Sequence, residues 1–144
     1  MANKGLYTSV QIHNDSGDTL DFDGSFTPFP YPKQIGNGDS AWFVHSSAGS
    51  SDVDVIAYRF KGDQLNWVLG WENHLDSQNK VATEIHPLSD AARDNRGSVK
   101  SNLKDTANSN ESTYSYGGYL AHAKISDGNF AVLQAVLTKV NANN

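Results

Sequence analysis

The chain has 144 residues, no cysteine, and a formal net charge of −5 that comes from 11 basic and 16 acidic side chains. This length is enough for one domain with its own core, and the missing cysteines exclude disulfide frameworks and thiolate metal sites. Nucleic-acid binders usually carry a basic patch, so the acidic balance excludes nucleic acid as the expected partner.

The first half of the chain consists of short stretches in which apolar and polar residues alternate. Residues 5–14 and 19–26 predict two half-buried strands, and the turn residues between them favour a hairpin. Residues 27–32 contain three prolines, which predict a stiff loop or edge segment because proline cannot donate to a strand ladder.

Three further apolar runs, at residues 40–45, 53–60 and 65–72, predict strands separated by turn-forming residues. In the last of these runs Trp67 and Trp71 share one strand face, which favours a place in the core for both. The pattern does not place Trp42.

The second half predicts one more strand at residues 81–86 and then a short helical insert near residues 88–104, with Ser89 as its N-cap. Residues 113–125 and 129–140 predict two long strands around an Asp-Gly turn.

About eight strands and one short helix predict a mainly β fold, an antiparallel β-sandwich, with a partly closed barrel as the alternative. We expect a single domain over residues 1–144, in which residues 140–144 form a flexible tail.

Three segments carry a family resemblance. They contain, in order, Tyr31-Pro32 with Ile35, Asn37-Gly38, Phe43 and His45, then Tyr58-Arg59, then Trp67 and Trp71. With these residues the chain resembles the plant 23-kDa jasmonate-induced protein family, and residues 10–20 and 129–138 extend the likeness. The family's usual extra N-terminal segment and its frequent cysteines are missing here. The resemblance implies a plant stress or defence protein and implies no catalytic residue.

The sequence contains no recognisable catalytic or metal-binding pattern. Ser40 follows Gly-Asp as in one class of lipases, but that class places its His near the C-terminus, and no His follows Asp127 here. The five histidines lack the spacing of metal motifs, and the Asp-x-Asp pairs at 21–23 and 52–54 indicate solvated strand faces. We expect neither an enzyme nor a cofactor nor a metal.

Aromatic residues give the better indication of function. Tyrosine has a flat apolar face and a polar tip, which suit the stacking of a sugar or an interface, and nearby asparagines could hold hydroxyl groups. The predicted ligand-binding residues surround a Gly-Gly pair or lie in the proline-rich loop. They are Tyr114, Tyr116, Tyr119, Phe29, Tyr31, Asn108 and Asn110.

The leading hypothesis is a non-enzymatic, lectin-like protein that binds a carbohydrate through these residues. One alternative uses the same aromatic residues to bind lipid or a membrane, since the strand pattern is also similar to aegerolysin- and actinoporin-like proteins. The other is a structural, self-assembling stress protein without a small ligand.

Two expectations concern the surroundings of the chain. Unpaired strand edges favour a homodimer. No run approaches the ~20 apolar residues of a membrane-spanning helix, and the first residues lack the apolar run of a signal peptide, so we expect a cytoplasmic or nuclear protein.

Overall fold

The computed structural model describes residues 5–89, 95–105 and 109–140. In this part the chain forms ten β-strands and one α-helix. The strands are β1 (Leu6–Asp15), β2 (Leu20–Ser25), β3 (Gln34–Ile35), β4 (Ser40–Ser47), β5 (Ser51–Phe60), β6 (Leu65–His74), β7 (Lys80–Pro87), β8 (Glu111–Tyr116), β9 (Tyr119–Ile125) and β10 (Phe130–Lys139). The helix α1 spans Asn95–Asp105.

The strands form two five-stranded sheets, which confirms the predicted β-sandwich. Sheet A has the order β4-β1-β10-β9-β8, and sheet B has the order β3-β2-β5-β6-β7. Neighbouring strands are antiparallel except β1 and β10, which are parallel. The Asp-Gly turn joins β9 and β10 as an antiparallel hairpin, as the sequence predicts.

The predicted hairpin between the first two strands is wrong. β1 pairs with β4 and β10 in sheet A, whereas β2 pairs with β3 and β5 in sheet B. The connection is fixed by the buried side chain of Asn14, whose amide donates to the carbonyls of Asp18 at 2.7 Å and Ile35 at 2.9 Å. The turn therefore carries the chain across the sandwich instead of folding it back.

Two further boundaries differ from the prediction. Residues 113–125 form two strands, β8 and β9, because Gly117 and Gly118 adopt positive φ angles of 62° and 87° that suit a tight hairpin turn. The helix lies at the end of the predicted insert, and residues 90–94 of that insert lie outside the described part. Residues 141–144 of the predicted tail also lie outside it.

One large core fills the space between the sheets. Trp67 and Trp71 are fully buried there, as predicted, together with Tyr58 and Phe60 of the neighbouring strand. Sheet A contributes alternate residues of β10, such as Leu133. This alternation is what strands require when one face is buried.

The helix covers the outer face of sheet B. Val99 and Leu103, one helical turn apart, form a second buried cluster with four small apolar residues of the sheet. These four residues are Val55, Ala57, Val68 and Ala82. Gly70 lies under the helix, where a Cβ atom would come within 2.8 Å of Val99 Cγ1 and 3.1 Å of Leu103 Cδ1.

A buried carboxylate fastens the proline-rich loop to β5. One oxygen of Asp54 accepts hydrogen bonds from the backbone amides of Phe26 at 3.0 Å, Thr27 at 3.1 Å and Val55 at 2.8 Å. The other oxygen accepts from the hydroxyls of Thr27, at 2.6 Å, and Tyr31. Burial, followed by the hydrogen bond to Asp54, raises the pKa of Tyr31 above its usual range. The loop thus buries Tyr31.

We expect Gly70→Ala to lower the free energy of unfolding by about 1–3 kcal/mol, because the added methyl group overpacks the contact between α1 and sheet B. Urea unfolding measures the change. Gly49→Ala is the matched control, since its new Cβ would meet only Ser47 Oγ at 3.5 Å. Equal stability of the two variants would contradict the close helix packing.

We expect Asp54→Ala to cost about 3–5 kcal/mol, because it leaves buried backbone and hydroxyl donors without an acceptor. The exposed carboxylate of Asp76 provides the control, and Asp76→Ala should change stability by no more than about 0.5 kcal/mol. Thermal and urea unfolding of both variants test this. A similar small loss in both would show that the loop does not depend on Asp54.

Candidate functional site

The outer face of sheet A is built by strand alternation. Ala131 and Leu133 of β10 point into the core, so Phe130, Val132 and Gln134 point outward. The parallel pairing with β1 sets Tyr7 opposite Phe130. The antiparallel pairing of β1 with β4 brings a third row of side chains onto the same face.

No described helix or strand lies over these three strands, since α1 packs on sheet B. We call the outward side chains of β4, β1 and β10 the open face. Its main members are Trp42, Val44, Tyr7, Ser9, Gln11, His13, Phe130, Val132, Gln134 and Val136.

One end of the open face is apolar and aromatic. The rings of Tyr7 and Phe130 lie with centroids 5.7 Å apart, and they are 42% and 63% exposed. Val132 continues the apolar surface along β10. Trp42 lies beyond this end, opposite Gln11, and at 65% it is the most exposed of the large hydrophobic side chains described. Single exposed apolar residues are common on protein surfaces, whereas several on one face favour an interaction site.

The other half of the open face is a shallow depression of about 450 Å³. The side chains of Trp42, Gln11 and Gln134 line it, together with His13 and Ser40. The register sets Trp42 opposite Gln11, and Gln11 opposite Gln134, so the indole and the two amides form one row across three strands.

Within the depression, a hydrogen bond holds the indole ring in place, whereas the glutamine amides are only weakly bonded and can bind a ligand. The indole Nε1 of Trp42 donates to Ser9 Oγ at 2.7 Å, which holds the ring in place. His13 Nδ1 and Ser40 Oγ are 2.8 Å apart. The two glutamine amides contact each other only weakly, at 3.4 Å from Gln134 Nε2 to Gln11 Oε1. Amide donors and acceptors beside a fixed aromatic face can bind hydroxyl groups and an apolar ring surface together.

The predicted ligand-binding residues do not form one site. Phe29 packs between Tyr31 and Phe43, at centroid distances of 4.7 Å and 5.7 Å, near the β4 edge of sheet A. The predicted tyrosines of β8 and β9 lie at the opposite edge. Asn108 lies outside the described residues.

Burial distinguishes the predicted aromatic residues from one another. Tyr31 and Tyr119 belong to the core, because Tyr31 is bound to Asp54 and Tyr119 packs on Phe60 with centroids 4.8 Å apart. Tyr114 is half-buried against the core.

Of the other predicted residues, Tyr116 is exposed and Asn110 is bound by hydrogen bonds between loops. Tyr116 is 42% exposed. The Asn110 amide donates to the carbonyl of Asn79 and to the carboxylate of Asp127, which ties loops together. Ligand contact by these residues stays a prediction.

The residues of the open face are not among those predicted from the sequence, although the alternation of side chains along β4 and β10 indicates them. On β4, Phe43 and His45 are buried, so alternation sends Trp42 outward. On β10, apolar residues occupy both faces, which indicates that one of them is an uncovered apolar surface.

A second depression, of about 330 Å³, contains a His–Asp pair that resembles part of a hydrolase site. His45 Nδ1 lies 2.5 Å from Asp52 Oδ1, and His45 Nε2 lies 3.4 Å from the hydroxyl of Thr27. That hydroxyl donates to Asp54 at 2.6 Å, so its proton is directed away from the histidine. A second carboxylate oxygen of Asp52 accepts from Thr8. The arrangement satisfies buried polar groups and leaves no hydroxyl activated as a nucleophile.

Two negative findings apply to residues 5–89, 95–105 and 109–140. In these ranges no three His, Asp or Glu side chains are placed to hold a metal ion. The described helix is too short and too polar to cross a membrane.

Comparison of solved structures shows the fold in other proteins. The lipid binding protein Nakanori matches with a TM-score of 0.81 and 24% identity, over 94% of this chain and 72% of that one. The wild-type Xerocomus chrysenteron lectin XCL matches with a TM-score of 0.59 and 11% identity, over 93% of this chain and 99% of the lectin.

Comparison of sequences shows the family. The chain is 30% identical to a 23 kDa jasmonate-induced protein of Hordeum vulgare in a 142-residue alignment that covers 86% of this chain. It spans 65% of the barley protein, less than two thirds of that relative's length. This match confirms the resemblance found in the sequence. The family model for Nakanori-like protein matches residues 2–140. The chain therefore belongs to the Nakanori-like protein family.

Proposed function

We propose that this protein is a non-enzymatic binding protein that docks on lipid membranes through its open face. The observation that carries the proposal is the exposure of Trp42, Phe130, Tyr7 and Val132 on one sheet face that no described helix or strand covers. Several large apolar side chains exposed together on one sheet face favour an interaction site. Tryptophan and tyrosine suit the membrane–water interface, because each combines an apolar ring with a polar group.

The distribution of charge favours a membrane surface without net charge. None of the ten main members of the open face is Lys, Arg, Asp or Glu, although Asp15 at the end of β1 also points outward and Lys124 of β9 lies opposite Gln134. The whole chain carries a net charge of −5. Attraction to anionic lipids depends on clustered basic residues, so contact here would depend on apolar and hydrogen-bonding groups.

The comparisons support this proposal. Nakanori, described as a lipid binding protein, shares the fold of this chain. The name of the barley relative supports a role in stress or defence, as the sequence predicts. Dimerisation and a cytoplasmic location stay predictions.

Recognition of free carbohydrate is the second candidate. The row of Trp42, Gln11 and Gln134 favours it, because an aromatic face beside amides is a typical sugar-binding arrangement. The shared fold of the lectin XCL supports it too. A glycan array with the purified protein tests it, and selective binding in the absence of lipid would favour this candidate over membrane docking.

Co-sedimentation with vesicles made from a total membrane lipid extract tests membrane docking. We expect the parent protein to bind, and Phe130→Ala and Trp42→Ala each to weaken binding about tenfold or more. The reason is that each variant loses roughly 1.5–3 kcal/mol of apolar burial at full insertion.

The chain offers a matched control for this experiment. Tyr116 is as exposed as Tyr7, at 42%, but it lies at the far edge of sheet A. We expect Tyr7→Ala to weaken binding and Tyr116→Ala to leave it unchanged. The reverse result would favour the tyrosines predicted from the sequence, and absence of binding to any vesicle would overturn the proposal.

A further inference from the structure

We propose that the lipid recognised by the open face is a neutral glycolipid, whose uncharged sugar headgroup occupies the depression beside Trp42. This inference rests on the proposed membrane docking and names the class of lipid. The apolar part of the lipid surface then contacts the aromatic end, formed by Tyr7 and Phe130.

The depression has the chemistry that a pyranose ring requires. A sugar presents C–H groups on its flat sides and hydroxyls around its rim. The indole of Trp42 offers an exposed flat face, and its hydrogen bond to Ser9 fixes that face before any ligand arrives. A fixed group loses little conformational freedom on binding.

The row that contains Trp42 also offers hydrogen-bond donors and acceptors to the hydroxyls of the sugar. The side-chain amides of Gln11 and Gln134 each carry a carbonyl oxygen and an NH₂ group, and their contact with each other is long, at 3.4 Å. A ligand can therefore replace this contact with shorter hydrogen bonds. The volume of about 450 Å³ lies within the roughly 300–1,000 Å³ typical of small-ligand sites.

The same residues are a poor match for a phospholipid headgroup. A phosphate is bound by Arg or Lys, or by several backbone amides, and no described residue that lines the depression is basic apart from the imidazole of His13. A quaternary ammonium group prefers a cage of Trp, Tyr or Phe rings, whereas Trp42 is the one residue of these three types among the described lining residues. An uncharged polyhydroxylated headgroup needs no charged side chain as a partner.

The aromatic end and the amide row lie on the same face, four residues apart along the strands. Tyr7 and Gln11 lie four residues apart on β1, and Phe130 and Gln134 lie four residues apart on β10. At ~3.3 Å per residue, the aromatic end is about 13 Å from the amide row. Sugar and apolar contacts can thus be made at the same time on adjacent surfaces.

Defined vesicles test this class assignment. Binding is measured by co-sedimentation with vesicles of phosphatidylcholine alone, and with vesicles that also contain glucosylceramide or galactosylceramide. We expect either glycolipid to raise the apparent affinity about tenfold or more, and soluble methyl glucoside or methyl galactoside to reduce that gain at high concentration. Phosphatidylserine in place of the glycolipid should give no gain.

Variants separate this inference from membrane docking itself. The double change Gln11→Ala and Gln134→Ala should remove the gain from glycolipid and keep the weaker binding to phosphatidylcholine, whereas Phe130→Ala should reduce both. Thr113→Ala, an exposed change on β8 of the same sheet, is the control for general surface effects. Circular dichroism and urea unfolding establish that each variant is folded.

Two results would overturn the assignment, and they differ in meaning. Equal binding with and without glycolipid, still lost in Phe130→Ala, would contradict the sugar headgroup and leave membrane docking standing. Binding to none of these vesicles would contradict both proposals.

Discussion

The parallel pairing of β1 with β10 is the constraint on which the candidate site depends. It joins strands from the two ends of the chain, and its register sets Tyr7 against Phe130 and Gln11 against Gln134. Because side chains alternate along each strand, a shift of one residue in either strand would send the aromatic and amide side chains of that strand into the core. The inward rows, with Leu133 and Leu137 on β10, are fully buried and hold the register.

The two outer faces of the sandwich differ in whether a described helix covers them. Sheet B carries small apolar residues and Gly70 on its outer face, so a helix can approach closely and cover it. Sheet A carries Trp42, Phe130 and Tyr7 outward, and these side chains remain exposed. The helix thus completes the core on one side, and the open face on the other side is available for a partner. Buried Asp54 contributes by drawing the proline-rich loop inward, where Tyr31 fills the core edge near β4.

The class of fold could be predicted because it depends on local alternation. The alternation in β1 and the short apolar runs of β5, β6 and β10, separated by turn residues, predict a sandwich, and Trp67 and Trp71 fall in the core because they share one strand face. Pairing could not be predicted in the same way. The turn after β1 has the composition of a hairpin, but the contact of Asn14 with Ile35, 21 residues further on, sends the chain to the other sheet.

The candidate site was harder to predict because exposure depends on distant parts of the chain. Tyr31 looks like a loop aromatic, yet it is buried through Asp54, 23 residues away. The outward direction of Trp42 follows from alternation with Phe43, but whether the face stays uncovered depends on where α1 packs. The number of aromatic residues therefore does not show which of them are exposed.

The most direct measurement of the central claim is the quenching of tryptophan fluorescence by lipids that carry bromine atoms at known depths in the bilayer. Trp67 and Trp71 are buried at 1% and 0% exposure, so Trp42 is the tryptophan that such lipids can reach. We predict quenching that is strongest for bromine near the headgroups and absent in Trp42→Phe. Unchanged emission of the parent protein, under conditions where it co-sediments with the vesicles, would contradict docking through the open face.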